Sequence, residues 1–120
     1  MMATMELERY LDGWRAREQQ DSRAVEQATR KAWEAVPVVV DLLRGRGARR
    51  IWLVGSLARG TFETHSDLDF LVEGLDEDQA IRAALDASER TGFGIDLIRT
   101  ESLDPEWLGH HRRYGKILHG

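Results

Sequence analysis

The chain has no cysteine, so disulfides and thiolate metal sites are excluded, and a reducing, cytoplasmic setting is the expectation. It has only 2 prolines among 120 residues, which leaves long stretches free to run as uninterrupted elements. No apolar run approaches the roughly 20 residues of a membrane span, and the opening MMATMELERY lacks the apolar core of a signal peptide. Neither sign of charge dominates: 17 basic against 21 acidic residues leave a net charge of −4. That balance excludes a broad basic grip on nucleic acid, so no nucleic-acid template is expected. The length suits a single domain with a modest core.

The first 47 residues read as helical. Leu7, Tyr10, Leu11 and Trp14 recur at helical spacing. Asp21 or Ser22 offers an N-cap, and a second apolar stripe follows through Val25, Ala28, Ala32 and Trp33. Pro37 predicts a kink or a restart, after which Val38, Val39, Leu42 and Leu43 carry the pattern to Gly45 or Gly47.

From residue 48 the pattern alternates. Arg50 to Val54 reads as a buried strand, Ser56 to Gly60 as a short helical turn and Leu68 to Glu73 as a second strand. Asp76 caps a helix whose predicted buried stripe is Ile81, Ala84 and Leu85, and which Gly92 stops. Gly94 to Arg99 is the third strand. Asp104-Pro105 opens a last helix carrying Trp107, Leu108 and His111, and Gly115 to Leu118 forms a small apolar anchor. The expected fold is therefore α/β of the α+β kind: a small mixed sheet of three or four strands flanked by helices. Residues 1–47 form an N-terminal helical extension packed on a 48–120 core, within a single structural domain.

One stretch concentrates the chemistry. GSLARGTFETHSDLDFLVEG runs from Gly55 to Gly74 and sets Gly55-Ser56 upstream of Asp67-Leu68-Asp69. Side chains alternate along a strand, so Asp67 and Asp69 face one way while Leu68, Phe70 and Val72 face the core. Two adjacent carboxylates repel one another, and a hard divalent cation with oxygen ligands resolves that. Asp96 lies within an apolar strand, where a buried carboxylate is expensive unless a neighbouring strand brings it beside the other two. Gly55 permits close backbone approach to phosphate oxygens, and Ser56 can donate from both N–H and hydroxyl. Arg59 can reach phosphate or clamp an acid.

His65 reads as a solvated loop residue. His110 and His111 are adjacent on a helix and make a poor metal pair, and His119 is expected to be mobile. Of the four tryptophans, Trp52 reads as core, while Trp14 or Trp33 could anchor a partner.

Gly55, Ser56, Asp67 and Asp69 together resemble the signature of the polymerase-beta-like nucleotidyltransferase superfamily. The G-S-x-A-R-G form followed by S-D-x-D looks most like its minimal nucleotidyltransferases, short catalytic domains many of which are antitoxins. The resemblance implies that fold. It implies that Gly55, Ser56 and Arg59 bind the triphosphate, and that Asp67, Asp69 and Asp96 are catalytic and bind two Mg²⁺ ions. It further implies ATP as donor of AMP to a hydroxyl, a HEPN-type toxin as partner and acceptor, and a possible homo-oligomer. Two other functions fit the same residues: a non-catalytic antitoxin that occludes its partner, and an adenylyltransferase acting on a small molecule such as an antibiotic.

Overall fold

Strand β1 (Arg50–Val54) is the pivot of the molecule, and everything after Ile51 in it is buried. The computed structural model describes residues 2–120; side chains are described at 7–9, 11 and 13 and from 21 onward. The readings placed on the Tyr10 and Trp14 side chains therefore lie outside the described residues.

Four strands form one mixed sheet in the order β3-β2-β1-β4. β1 pairs antiparallel with β2 (Leu68–Glu73), which pairs parallel with β3 (Ile95–Arg99). On the other side β1 pairs antiparallel with β4 (Lys116–His119), with an irregularity between Ile51 and Trp52. The expected fold class holds, and the C-terminal anchor is a full sheet strand. His119 is part of it, opposite Ile51, which corrects the expectation of mobility: ladder hydrogen bonds tie it down.

Helix α1 runs unbroken over Met2–Gly45, a correction at two points. No new helix begins at Asp21 or Ser22, because polar residues cost an exposed helix interior only a few tenths of a kcal/mol. The helix also continues through Pro37. Ala32, Ala35 and Val36 before it, and Val39, Leu42 and Leu43 after it, all enter the core, so packing on both sides holds the line. Trp33, expected inward, is 36% exposed, with the Lys116 ammonium 5.1 Å from its ring centroid.

The remaining helices are α2 (Gly55–Arg59), α3 (Glu77–Thr91) and α4 (Pro105–Tyr114). α3 starts with a capping box between Asp76 and Gln79 and ends at Gly92, as expected. Its buried stripe is different: Ala80, Ala83 and Ala87 face inward, while Ile81 is 55% and Leu85 65% exposed. The inner face of the sheet (Ile51, Leu53, Leu68, Phe70, Val72) packs with α1 and α3 in one cluster. The outer face buries Trp52, Val54 and Leu71 with Ile98, Leu103 and Leu108, the last from α4.

Candidate active site

Sheet register determines where the acids lie. Val54, the last residue of β1, is opposite Asp69 on β2, and Asp69 is opposite Asp96 on β3. Leu68 and Phe70 are fully buried on the inner face, so Asp69 belongs to the outer face at the mouth of the sheet. Asp67 precedes β2 and lies against Gly94: a Cβ at that glycine would fall onto the Asp67 carboxylate. The Leu68 N–H donates to the Gly94 carbonyl at 2.9 Å and closes this corner.

The loop before Asp67 is anchored. Phe62 is buried and meets Phe93 edge-on, with ring centroids 6.2 Å apart. The Glu63 N–H donates to the Ser66 hydroxyl at 2.9 Å, and the Ser66 N–H returns to the Glu63 carbonyl at 3.1 Å. These contacts fix where the chain enters β2. His65, within the loop, is exposed as expected.

Gly55 opens α2 with φ of +75°. A Cβ there would collide with Asp69 Oδ2, so the turn and the acid compete for one space. Gly60 closes α2 in the left-handed conformation, and the Thr61 N–H reaches the Ser56 carbonyl at 2.9 Å. Ser56 is half-buried and Arg59 exposed.

The Asp69 carboxyl is pushed up to about 6, first by burial, then by the charges of Asp96 and Asp67, with Arg59 opposing the shift. Two more negative groups are thus close enough to penalise its ionisation. Among the described residues no three His, Cys, Asp or Glu side chains close into a metal cage. The donor set still fits a hard dication: carboxylate oxygens whose mutual repulsion Arg59 offsets only in part, in a number that leaves coordination positions for phosphate oxygens. Asp96 is exposed rather than buried, a correction whose cause is its place on an edge strand.

Beside Gly55 lies a cavity of about 260 Å³, lined also by Val54, Arg59, His110, His111 and Tyr114. The α4 residues were not expected there. A stripe at i, i+3, i+4 and i+7 from Trp107 was the available signal. A larger groove of about 770 Å³ runs between α3 and β3, and Asp96 alone of the expected site residues lines it.

A family model described as a nucleotidyltransferase domain matches residues 37–104. Comparison with curated proteins gives no match. Among solved structures, the chain resembles a toxin–antitoxin structure with AMP-PNP at 26% identity, covering 68% of this chain and 70% of the other, with a TM-score of 0.63. A mutant of the toxin–antitoxin MntA–HpeT is 27% identical over 70% of this chain and 71% of that one, with a TM-score of 0.61. The complex of tri-AMPylated Shewanella oneidensis HEPN toxin with MNT antitoxin is alike in fold, at 21% identity, 74% and 72% coverage and a TM-score of 0.60. No described helix is long and apolar enough to cross a membrane.

Proposed function

The chain belongs to the nucleotidyltransferase domain family and is a transferase of that class, and from that premise we propose that it moves AMP from ATP onto a protein hydroxyl. The observation that carries this reading is the register pairing of Asp69 with Asp96, with Gly55 packed on Asp69. In it Asp67, Asp69 and Asp96 would hold Mg²⁺. Two bound ions would neutralise the charge on the attacking and leaving oxygens of an in-line displacement. Gly55 and Ser56 hold the triphosphate by backbone approach and hydroxyl donation, and Arg59 adds a guanidinium. Asp96, exposed at the sheet edge, takes the proton of the acceptor hydroxyl. That oxygen bonds to the α-phosphorus, the α–β bridging bond breaks, and pyrophosphate leaves with the electron pair.

The acceptor we propose is a side chain of a HEPN-type toxin, which makes this chain an antitoxin. The toxin–antitoxin neighbours support it, and the AMPylated toxin in a complex of like fold defines the product to look for. We assign the chemistry to residues 48–120 and treat 1–47 as an extension packed on them. The absence of cysteine supports a reducing cytoplasm. A second reading, neutralisation by occlusion, is favoured by one feature: Leu7, Leu11 and Trp33 are exposed along α1.

The test is label transfer from α-labelled ATP with Mg²⁺ to a HEPN-type toxin. The double variant Asp67→Ala, Asp69→Ala should fold and lose transfer, because metal-held charge stabilisation dominates such reactions. It should also lose protection of cells from the toxin. Full neutralisation by the folded double variant would make occlusion the mechanism.

A further inference from the structure

Asp96 lies on the outermost strand of the sheet, beside a surface that the nucleotide and metal chemistry leaves unused. Among the described residues β3 pairs only with β2, so alternate residues along Ile95–Arg99 direct their N–H and C=O groups away from the sheet. Such edges are commonly blunted by proline or a bulge. β3 has neither, and its register with β2 runs unbroken from Ile95 to Arg99. The groove of about 770 Å³ lies along this strand, and α3 walls it with Ile81, Ala84 and Leu85. Ile81 and Leu85 are both more than half exposed, and four residues apart they share one helix face. An open strand beside an apolar wall offers an extended segment both a ladder to join and a surface for every second side chain.

Register fixes what such a segment would present to Asp96. Ile95 and Leu97 pack with the inner cluster and Ile98 with the outer one, so Asp96 shares the outer face with Ile98. A strand joined to β3 would put the residue opposite Asp96 on that same outer face, its backbone about 5 Å away. Asp96 would then stand between that residue and Asp69, its neighbour on β2. The residues before and after it would turn to the other face, toward the apolar wall of α3. Charge points to the same kind of occupant. Arg99, the one cation lining the groove, donates from Nε to the Leu75 carbonyl at 2.8 Å and lies 4.0 Å from the Glu101 carboxylate. Glu77 and Asp96 line the groove as well, and no ion pair among the described residues engages either. The groove thus favours a segment that carries a cation and no acid.

We infer that the acceptor protein docks here as an added strand on β3, an extended segment whose hydroxyl residue is flanked on both sides by apolar residues, with a basic residue toward Glu77. Pairing with β3 sets the hydroxyl beside Asp96, and the flanking side chains cover Ile81 and Leu85. The inference rests on the nucleotidyl-transfer reading, and it names how that reaction selects its acceptor. Main-chain pairing supplies affinity, and the alternation of apolar and hydroxyl side chains supplies the register.

The experiment follows label transfer from α-labelled ATP to a HEPN-type toxin as toxin concentration varies. It compares the full chain with Ile81→Glu, Leu85→Glu and the double variant. Both positions are exposed, so the variants should keep the parent's melting temperature and its affinity for AMP-PNP. The double variant should raise KM for the toxin by about tenfold and leave kcat unchanged. Mass spectrometry of the labelled toxin should place the modified hydroxyl between apolar residues. A peptide of about ten residues around that hydroxyl should compete with the toxin, and the same peptide N-methylated at alternate backbone positions should not. Unchanged KM in the double variant would overturn the proposal, as would a loss confined to kcat, a labelled hydroxyl without apolar neighbours, or equal competition by the two peptides. A chain that sediments as a dimer, split by Leu85→Glu with KM unmoved, would give the edge to a second copy and overturn it too. In each of these outcomes transfer itself stands. If the full chain labels no toxin, the transfer reading falls, and the acceptor groove falls with it.

Discussion

The carboxylate of Asp69 fills the space that a side chain at Gly55 would need. The two positions are thus one unit, a turn built around an acid. Gly55 has φ of +75°, and a Cβ there would lie 2.9 Å from both Cβ and Cγ of Asp69. Gly92 shares the backbone conformation, at φ of +76°, with nothing within 4 Å of its Cβ position. Alanine at either site should cost about 1–2 kcal/mol of left-handed strain. Gly55→Ala should cost roughly 1 kcal/mol more, because Asp69 must move. Urea denaturation of the two variants measures the difference. Gly55→Ala should also lose Mg²⁺-dependent nucleotide binding, whereas Gly92→Ala should keep it.

The Asp69 carboxyl predicts how stability depends on pH. Its folded value of about 6 exceeds the ordinary 3.8, so between those values the folded state holds more proton than the unfolded one. Stability contributed by this group is therefore present at low pH and lost as pH rises through about 6. The penalty is complete at neutral pH. In chelator, Asp69→Asn should raise the melting temperature at pH 7.5 and flatten its fall between pH 4 and 6.5. Mg²⁺ should stabilise the unaltered protein more than the variant. A variant that melts below the parent at pH 7.5 would contradict the electrostatics of the site.

Where the candidate residues lie in the fold was largely legible, because local chemistry and periodicity coincide there. The continuous apolar run of Ile51 to Val54 made a buried strand, and alternation in Leu68 to Val72 put Asp69 on the outer face. What the sequence did not disclose depends on long-range packing. Asp96 reads as buried from its apolar neighbours, but β3 is an edge strand, and the sheet order is not written in any one segment. The wall at His110, His111 and Tyr114 exists because β4 returns to pair with β1, which draws the end of α4 against Gly55. Pro37 signalled a break locally, yet core contacts on both sides outweigh one missing hydrogen bond.

The same lesson gives a prediction for α3. Hydrophobicity alone selects Ile81 and Leu85 as its buried face, but the helix turns its alanines inward. Ala83 is fully buried in the core cluster, where small side chains let the helix approach α1 and the sheet closely. Ala83→Leu should therefore destabilise the protein by about 1–3 kcal/mol through overpacking. Leu85→Gln, at a position 65% exposed, should fall within about ±0.5 kcal/mol of the parent. Paired urea titrations check both at once, and the slope with denaturant should stay constant if only stability changes. The opposite ranking, with Leu85→Gln the more damaging, would mean that in solution Leu85 is covered and the helix is turned by about a third of a rotation. The groove between α3 and β3 would then be reshaped, and Asp96 with it.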